Sequence, residues 1–203
     1  MIDIIFIAGM AIFFVSGIYF YFFNKKAFNS ALLICLITLI SYILMWHGSL
    51  ITISSAGEPI FWSRWLFYIG SCTLLMFEIS KYKKIKNLDS IEVIFLTAIV
   101  MFTGFFAAWN ITNVKWIYFA ISSIAYIILL AKILSARKGV SGWINFYIYF
   151  GWTIFPVVFI LAPSGIGILN SEISNLFYLI LDILTKIVFS VQLIYKKRKE
   201  SIA

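Results

Sequence analysis

The sequence predicts an all-α membrane protein, a bundle of seven transmembrane helices with the N-terminus outside and the C-terminus in the cytoplasm. Three observations carry that prediction. The 203 residues are 63% hydrophobic and 12% charged, with a mean hydropathy of +1.03. Soluble domains run about 45–50% apolar and about 25% charged, so the surplus apolar surface must face lipid. Second, apolar runs broken by charged, Gly or Asn clusters form seven segments, near 2–23, 30–50, 61–80, 90–109, 113–134, 142–162 and 172–195. Each has about the 20 residues that a span requires. Third, the basic residues collect in alternate connections: Lys25 and Lys26; Lys81, Lys83, Lys84 and Lys86; Lys132, Arg137 and Lys138; and the tail Lys196, Lys197, Arg198 and Lys199. The opposite side keeps only Lys115 and the edge residue Arg64, so the positive-inside rule places that side outside and demands an odd number of spans. Residues 1–203 are expected to form one membrane domain, with no stretch left for a soluble one.

The segments justify themselves in order. The first run continues to Phe23 without a small-residue cleavage site and stops at Lys25 and Lys26, so it reads as a span serving as its own targeting signal. The second ends beside His47, the sole histidine, which reads as interfacial rather than as a proton relay. Residues 51–60 alternate Ile-Thr-Ile-Ser before Ala56, Gly57, Glu58 and Pro59, a pattern for a short hairpin over the bundle. The third run carries Arg64 and Glu78. Tryptophan pairs at span edges, Trp62/Trp65, Trp109/Trp116 and Trp143/Trp152, read mainly as interfacial anchors. In the sixth run Pro156 removes one backbone hydrogen bond and kinks the helix, and Trp152, Phe155 and Phe159 around it form an aromatic wall. Cys35 and Cys72 lie inside apolar runs and read as small buried hydrophobes, without metal or CxxC spacing. The net charge of +8 follows membrane topology, so no nucleic-acid partner is expected.

Four ionisable groups remain inside the spans: Arg64, Glu78, Asp182 and Lys186. A charge near the bilayer centre costs at least about 2.5–3.5 kcal/mol, so such residues face the bundle interior and find partners. Asp182 and Lys186 are one helical turn apart on one face and can pair. One reading is a plain buried ion pair. The other starts from lysine chemistry: an amine kept from water is readily deprotonated and condenses with an aldehyde, after which Asp182 would be the counter-ion of a protonated Schiff base. Arg64, Phe67, Ser71 and Glu78 fall on one stripe of the third helix, with Glu78 about 16 Å along the axis from Phe67. Glu78 is either an interfacial carboxylate beside Lys81 and Lys83, or a group that attracts or accepts a proton.

Seven spans, a mid-membrane lysine within Leu181-Asp182-Ile183-Leu184-Thr185-Lys186, and Trp152-Thr153-Ile154-Phe155-Pro156 in the sixth span together resemble the microbial (type 1) rhodopsins over nearly the whole chain. The resemblance implies all-trans retinal bound as a Schiff base to Lys186, Asp182 as counter-ion, Arg64 as the third-helix arginine and Trp152 against the polyene. Phe119 and Tyr68 fall where the family often has tryptophans and are expected to line the pocket, and Tyr42 aligns with a tyrosine that hydrogen-bonds the counter-ion. Outward pumps resembling bacteriorhodopsin have a third-helix aspartate as proton acceptor where this chain has Phe67, and outer-side carboxylates where it has Ser164 and Ser174. The triplet Phe67, Ser71 and Glu78, with Cys72 beside it, instead resembles the schizorhodopsins, light-driven inward proton pumps. The implied function is therefore a retinal-dependent transporter, not an enzyme, moving protons inward across the cell membrane, with a homo-oligomer, a trimer, implied by the family. The rivals are a photosensor signalling to a membrane partner and a colourless seven-helix carrier or scaffold.

Overall fold

The computed structural model describes residues 1–23, 29–135 and 142–202, with backbone only at residues 87, 88, 143 and 197–202. The basic connections at Lys25 and Lys26 and at Arg137 and Lys138, and the side chains of Trp143, Lys197, Arg198 and Lys199, lie outside the described residues.

Seven helices follow one another around a closed bundle. Helix α1 is Ile2–Phe23 and α2 is Ser30–Trp46. Asn29 ties the two together: its side-chain oxygen accepts from the Leu32 N–H at 3.2 Å, capping α2, while its amide donates to the Phe20 carbonyl at 2.8 Å. Helix α2 stops four residues before the expected 50, because the chain turns through Gly48 at φ 68° and Leu50 at φ 58°. Strands β1 (Ile51–Ile53) and β2 (Pro59–Phe61) then form the expected hairpin, antiparallel with Ile51 opposite Phe61. Helices α3 (Ser63–Tyr82), α4 (Asn87–Trp109) and α5 (Val114–Ser135) come next. Helix α6 is built of Gly142–Phe146, a π-helical turn Tyr147–Gly151, and Trp152–Leu161; α7 is built of Ser171–Asp182, a π-helical stretch Ile183–Val188, and Phe189–Ile202. The first π turn lies immediately before the turn whose hydrogen bond Pro156 removes, so the helix adjusts its winding where the ladder is interrupted. Consecutive helices pack side by side from α1 to α5, and α7 packs against both α6 and α1, closing the ring.

Among the described residues, five helices are long and apolar enough to cross a membrane: Ile2–Phe23, Asp89–Trp109, Val114–Ser135, Ile144–Leu161 and Ser171–Lys196. Helix α2 is apolar but has 17 residues. Helix α3, with Arg64, Glu78 and Lys81, is long enough but less apolar. Arg64 is buried among the neighbouring helices, whereas Glu78 is half-buried and Lys81 exposed at the far end. Outward positions such as Ile4, Phe14, Phe95, Ile117, Ile124 and Ile127 are exposed, as expected of side chains facing lipid. With hydrocarbon on both sides of the comparison, close van der Waals contact rather than water exclusion holds such helices together. The contact between Gly9 and the buried Tyr42 ring is an instance: an added Cβ on Gly9 would sit 2.4 Å from two ring carbons.

The interior divides along the bundle axis. Toward the face that carries the N-terminus, Trp65, Tyr68, Cys72, Phe159, Tyr178 and Leu181 form an aromatic cluster. Toward the opposite face, Leu75, Met76, Ile79, Leu129, Ile133, Ile144 and Ile148 form an aliphatic one. Cys35 and Cys72 are buried free thiols, as the sequence suggests.

Candidate chromophore site

Lys186 sits in the π-helical stretch of α7, with Asp182 at the end of the α-helical turn before it. Both are buried, and the Lys186 Nζ lies 2.8 Å from the Asp182 Oδ1. Three further donors converge on the same carboxylate. Tyr68 Oη donates to Oδ1 at 2.8 Å, Tyr42 Oη donates to Oδ2 at 2.9 Å, and Arg64 Nη1 donates to Oδ2 at 3.0 Å. The second arm of the guanidinium donates to Asn175 Oδ1 at 2.9 Å, and Asn175 in turn donates to the Ser171 carbonyl at 2.7 Å. With Lys186 protonated, the cluster holds two cations and one anion inside a bundle where a buried charge is stable only when paired and hydrogen-bonded.

The lysine is the incompletely satisfied member. Its Nζ forms an ion pair with Asp182 and stands 3.8 Å from the centre of the Tyr68 ring, yet none of its N–H groups makes a hydrogen bond to the described residues. An ammonium has three donors to place, so this nitrogen is an orphaned polar atom, and it opens onto a cavity.

The cavity is concave and mostly apolar, the character of a small-molecule site. Trp152, Phe155 and Phe159 from α6, Phe119 from α5, and Tyr68 and Cys72 from α3 line it together with Lys186. Phe119 and Phe159 stack at 5.1 Å with an 11° angle, so their planes run parallel. A long, flat, apolar aldehyde fits such a slot: rings line its walls, and a buried amine with a paired carboxylate stands at its wall to condense with the carbonyl carbon.

The structure thus gathers Lys186, Trp152, Phe155, Phe159, Tyr68, Phe119 and Cys72 on one wall system. Tyr42, aligned with a tyrosine that hydrogen-bonds the counter-ion, does not line the cavity; its hydroxyl donates to Asp182. Phe67 and Ser71 also stand off the lining. Ser71 is fully buried, and its hydroxyl donates to the Phe67 carbonyl at 3.2 Å. Glu78 is half-buried near the other end of α3. His47 is exposed, with Ser49 as its neighbour, away from this chemistry.

Several residues escape the sequence reading. Trp65, expected at an interface, is buried and forms part of the cavity wall, edge-on to Phe159 at 5.5 Å. Tyr68 supplies a hydroxyl to Asp182 as well as a ring. Asn175 and Tyr178 surround Arg64, and they share a stripe with Asp182 and Lys186 at spacings of three and four along α7. That stripe is visible in the sequence and would have singled both out.

A family model described as "Bacteriorhodopsin-like protein" matches residues 1–199. The chain belongs to the bacteriorhodopsin-like family. Its fold matches the crystal structure of schizorhodopsin 4 with a TM-score of 0.90 and 37% identity, covering 95% of this chain and 98% of that one. A thermophilic rhodopsin from Rubrobacter xylanophilus superposes at a TM-score of 0.86 with 21% identity, covering 98% and 96% of the two chains. Sensory rhodopsin-2 of Haloarcula vallismortis is 25% identical over 167 residues, which are 76% of this chain and 70% of that protein. Bacteriorhodopsin of Halobacterium salinarum is 23% identical over 186 residues, 84% and 71% of the two. As a microbial rhodopsin, the protein is a multi-pass membrane protein whose cofactor is retinal, held as a Schiff base to a lysine, in a family of light-driven ion pumps and sensors. The orphaned Lys186 nitrogen and the aromatic slot beside it fit that group.

At the C-terminal end of α3, Lys83 is buried and donates from Nζ to the Ile133 carbonyl at 2.6 Å, closing the last turn of α5. Burial holds its ammonium below the ordinary lysine range. Lys81 rests over the Phe77 ring at 4.1 Å.

Proposed function

We propose that the protein is a light-driven inward proton pump, with retinal joined to Lys186, that takes protons from the N-terminal, outer face and delivers them to the C-terminal, cytoplasmic face. The orientation rests on the asymmetry of lysine and arginine between alternate loops. The observation that carries the direction is the saturation of Asp182. Both of its oxygens already accept hydrogen bonds, from Tyr42, Tyr68 and Arg64, and the third helix offers Phe67 and Tyr68 at this level rather than an acid. With Oδ2 accepting from Tyr42 and Arg64, and Oδ1 accepting from Tyr68 and facing Lys186, the carboxylate is fixed as the counter-charge of the site and presents no unoccupied oxygen.

Held by Lys186 between Trp152, Phe155 and Phe159, retinal would supply the absorption of light and the isomerisation. The residues of the chain then set the path. One turn from Phe67 toward the C-terminal end of α3 stands the buried Ser71, its hydroxyl donating to the Phe67 carbonyl. Beyond it lie the aliphatic side chains Leu75, Met76 and Ile79, which carry no proton, and then Glu78, about 10 Å farther along α3. Glu78 acts across that apolar stretch by attraction, drawing the proton toward the C-terminal face. The similarity to schizorhodopsin 4 and the Phe67, Ser71 and Glu78 triplet support the same reading.

Illumination of unbuffered cells expressing the protein with retinal tests this directly. Alkalinisation of the medium that an uncoupler abolishes is expected, whereas sustained acidification abolished by uncoupler would overturn the direction. The similarity to sensory rhodopsin-2 supports a second reading, a photosensor. A photocycle lasting seconds with no pH change would favour it.

A further inference from the structure

Between the Asp182 cluster and the N-terminal face lies a second, small cavity. It is bounded by the β2 hairpin strand at Pro59, by Arg64, by Ser164 in the connection from α6 to α7, and by Ser174 and Tyr178 on α7. It offers both donors and acceptors. Arg64 donates. Ser164 and Ser174 direct their hydrogens to the Phe159 and Ser171 carbonyls at 3.2 and 3.1 Å, which leaves their oxygen lone pairs to accept. The space, about 20 Å³, has room for one or two waters, and its several polar partners suit ordered water.

Tyr178 is the residue without an assigned role. It is 5% exposed, and its hydroxyl finds no hydrogen-bond partner among the described residues. Its ring is fixed on three sides: the Arg64 guanidinium carbon is 4.9 Å from its centre, Trp65 stands edge-on at 5.8 Å, and Phe155 stacks at 6.2 Å. Trp65 and Phe155 line the chromophore cavity, whereas Tyr178 lines only the polar one. Tyr178 therefore forms part of the partition between the two.

We propose that Tyr178 relays protons from water in this polar cavity toward the Arg64–Asp182 centre, making the cavity the uptake route; this rests on the inward direction proposed above. The step balances without ionising the tyrosine. The phenol oxygen accepts a proton from a hydronium ion in the cavity, releasing water, as its own proton leaves through water for the Lys186 nitrogen that has lost its proton, so one O–H bond forms as another breaks and the tyrosine ends neutral. Charge times the transfer. While the Lys186 nitrogen is protonated, the buried cluster carries a net positive charge that repels an incoming proton. Once that proton has left, Arg64 and Asp182 cancel and the repulsion disappears.

The test is flash photolysis of the purified, retinal-loaded protein with a pH-indicator dye in the medium. Tyr178→Phe keeps the ring and its packing and deletes only the hydroxyl. It is expected to form pigment with an unchanged absorption band while slowing proton uptake about tenfold or more. Ser174→Leu fills the same cavity and leaves the Tyr178 hydroxyl in place, and it is expected to slow the same step. Pigment yield reports folding for both, and Tyr178→Phe decides the matter if Ser174→Leu makes none. Wild-type uptake rates in Tyr178→Phe would overturn the relay and leave inward pumping intact. Failure of the wild-type protein itself to take protons from the medium would overturn the pump reading and the relay with it.

Discussion

Replacing Gly9 with alanine probes how the bundle holds Asp182 without touching any ionisable group. An added Cβ would stand 2.4 Å from Cδ1 and Cε1 of Tyr42 and 2.9 Å from Cγ. Carbon atoms rest at about 3.5–4.0 Å, so the ring or the helix must move by about 1 Å or more. The ring has nowhere to go: Tyr42 is fully buried, stacked on Phe13 at 5.8 Å and edge-on to Phe6 at 6.4 Å. A shift of that size lengthens the 2.9 Å bond from Tyr42 Oη to Asp182 beyond hydrogen-bonding range. Losing a hydrogen bond to a charged group costs about 1.5–3 kcal/mol and overpacking about 1–3 kcal/mol, against about 1 kcal/mol regained from the better helix propensity of alanine. The net expectation is destabilisation by about 2–4 kcal/mol. Gly17→Ala, on the same helix, is the internal control. Its Cβ would meet Cys35 and Leu32 at an ordinary 3.7 Å, so that variant should be neutral or slightly stabilised. Thermal unfolding in detergent, followed by circular dichroism, measures both. Equal melting temperatures for Gly9→Ala, Gly17→Ala and the unmodified protein would refute the packing argument.

Three further outcomes are expected. Lys186→Ala should fold but form no pigment with retinal, and full colour in that variant would remove the lysine from the site. Glu78→Gln should keep the visible band, because Glu78 stands off the chromophore cavity, while reducing transport severalfold; undiminished pH changes in illuminated cells would exclude Glu78 from the path. Lys83 has a folded-state pKa below its ordinary value of 10.5. Between the folded and the ordinary value the unfolded chain binds more protons, so this group's contribution to stability rises with pH and levels off above 10.5. The stability of the unmodified protein relative to Lys83→Met should therefore climb as pH approaches 10.5, and a flat or falling difference in denaturation midpoints would show that the buried ammonium is not held as described.

Much of the site could be read because lipid leaves so few reasons for a charge. Arg64, Asp182 and Lys186 stood out as ionisable groups in apolar runs, and the structure brings them within 3.0 Å of one another through Asp182. The aromatic lining was partly readable from its spacing around Pro156. Trp65 was not, because a tryptophan near a span end looks the same whether it anchors in headgroups or turns inward to pack on Phe159. Nor was the hydroxyl of Tyr68: its position on α3 announced a ring, and only the approach of α7 turned its polar tip into a donor to Asp182.

The chain's own residues determined the class, the seven apolar segments, the hairpin after α2 and the buried amine–acid pair, since composition and helical spacing are local properties that hydrocarbon punishes when violated. Tertiary structure alone decided which hydroxyls meet Asp182 and that Trp65 turns inward. Those outcomes depend on helices distant in sequence, Tyr42 and Asp182 being 140 residues apart, and no local pattern records how closely two such helices approach.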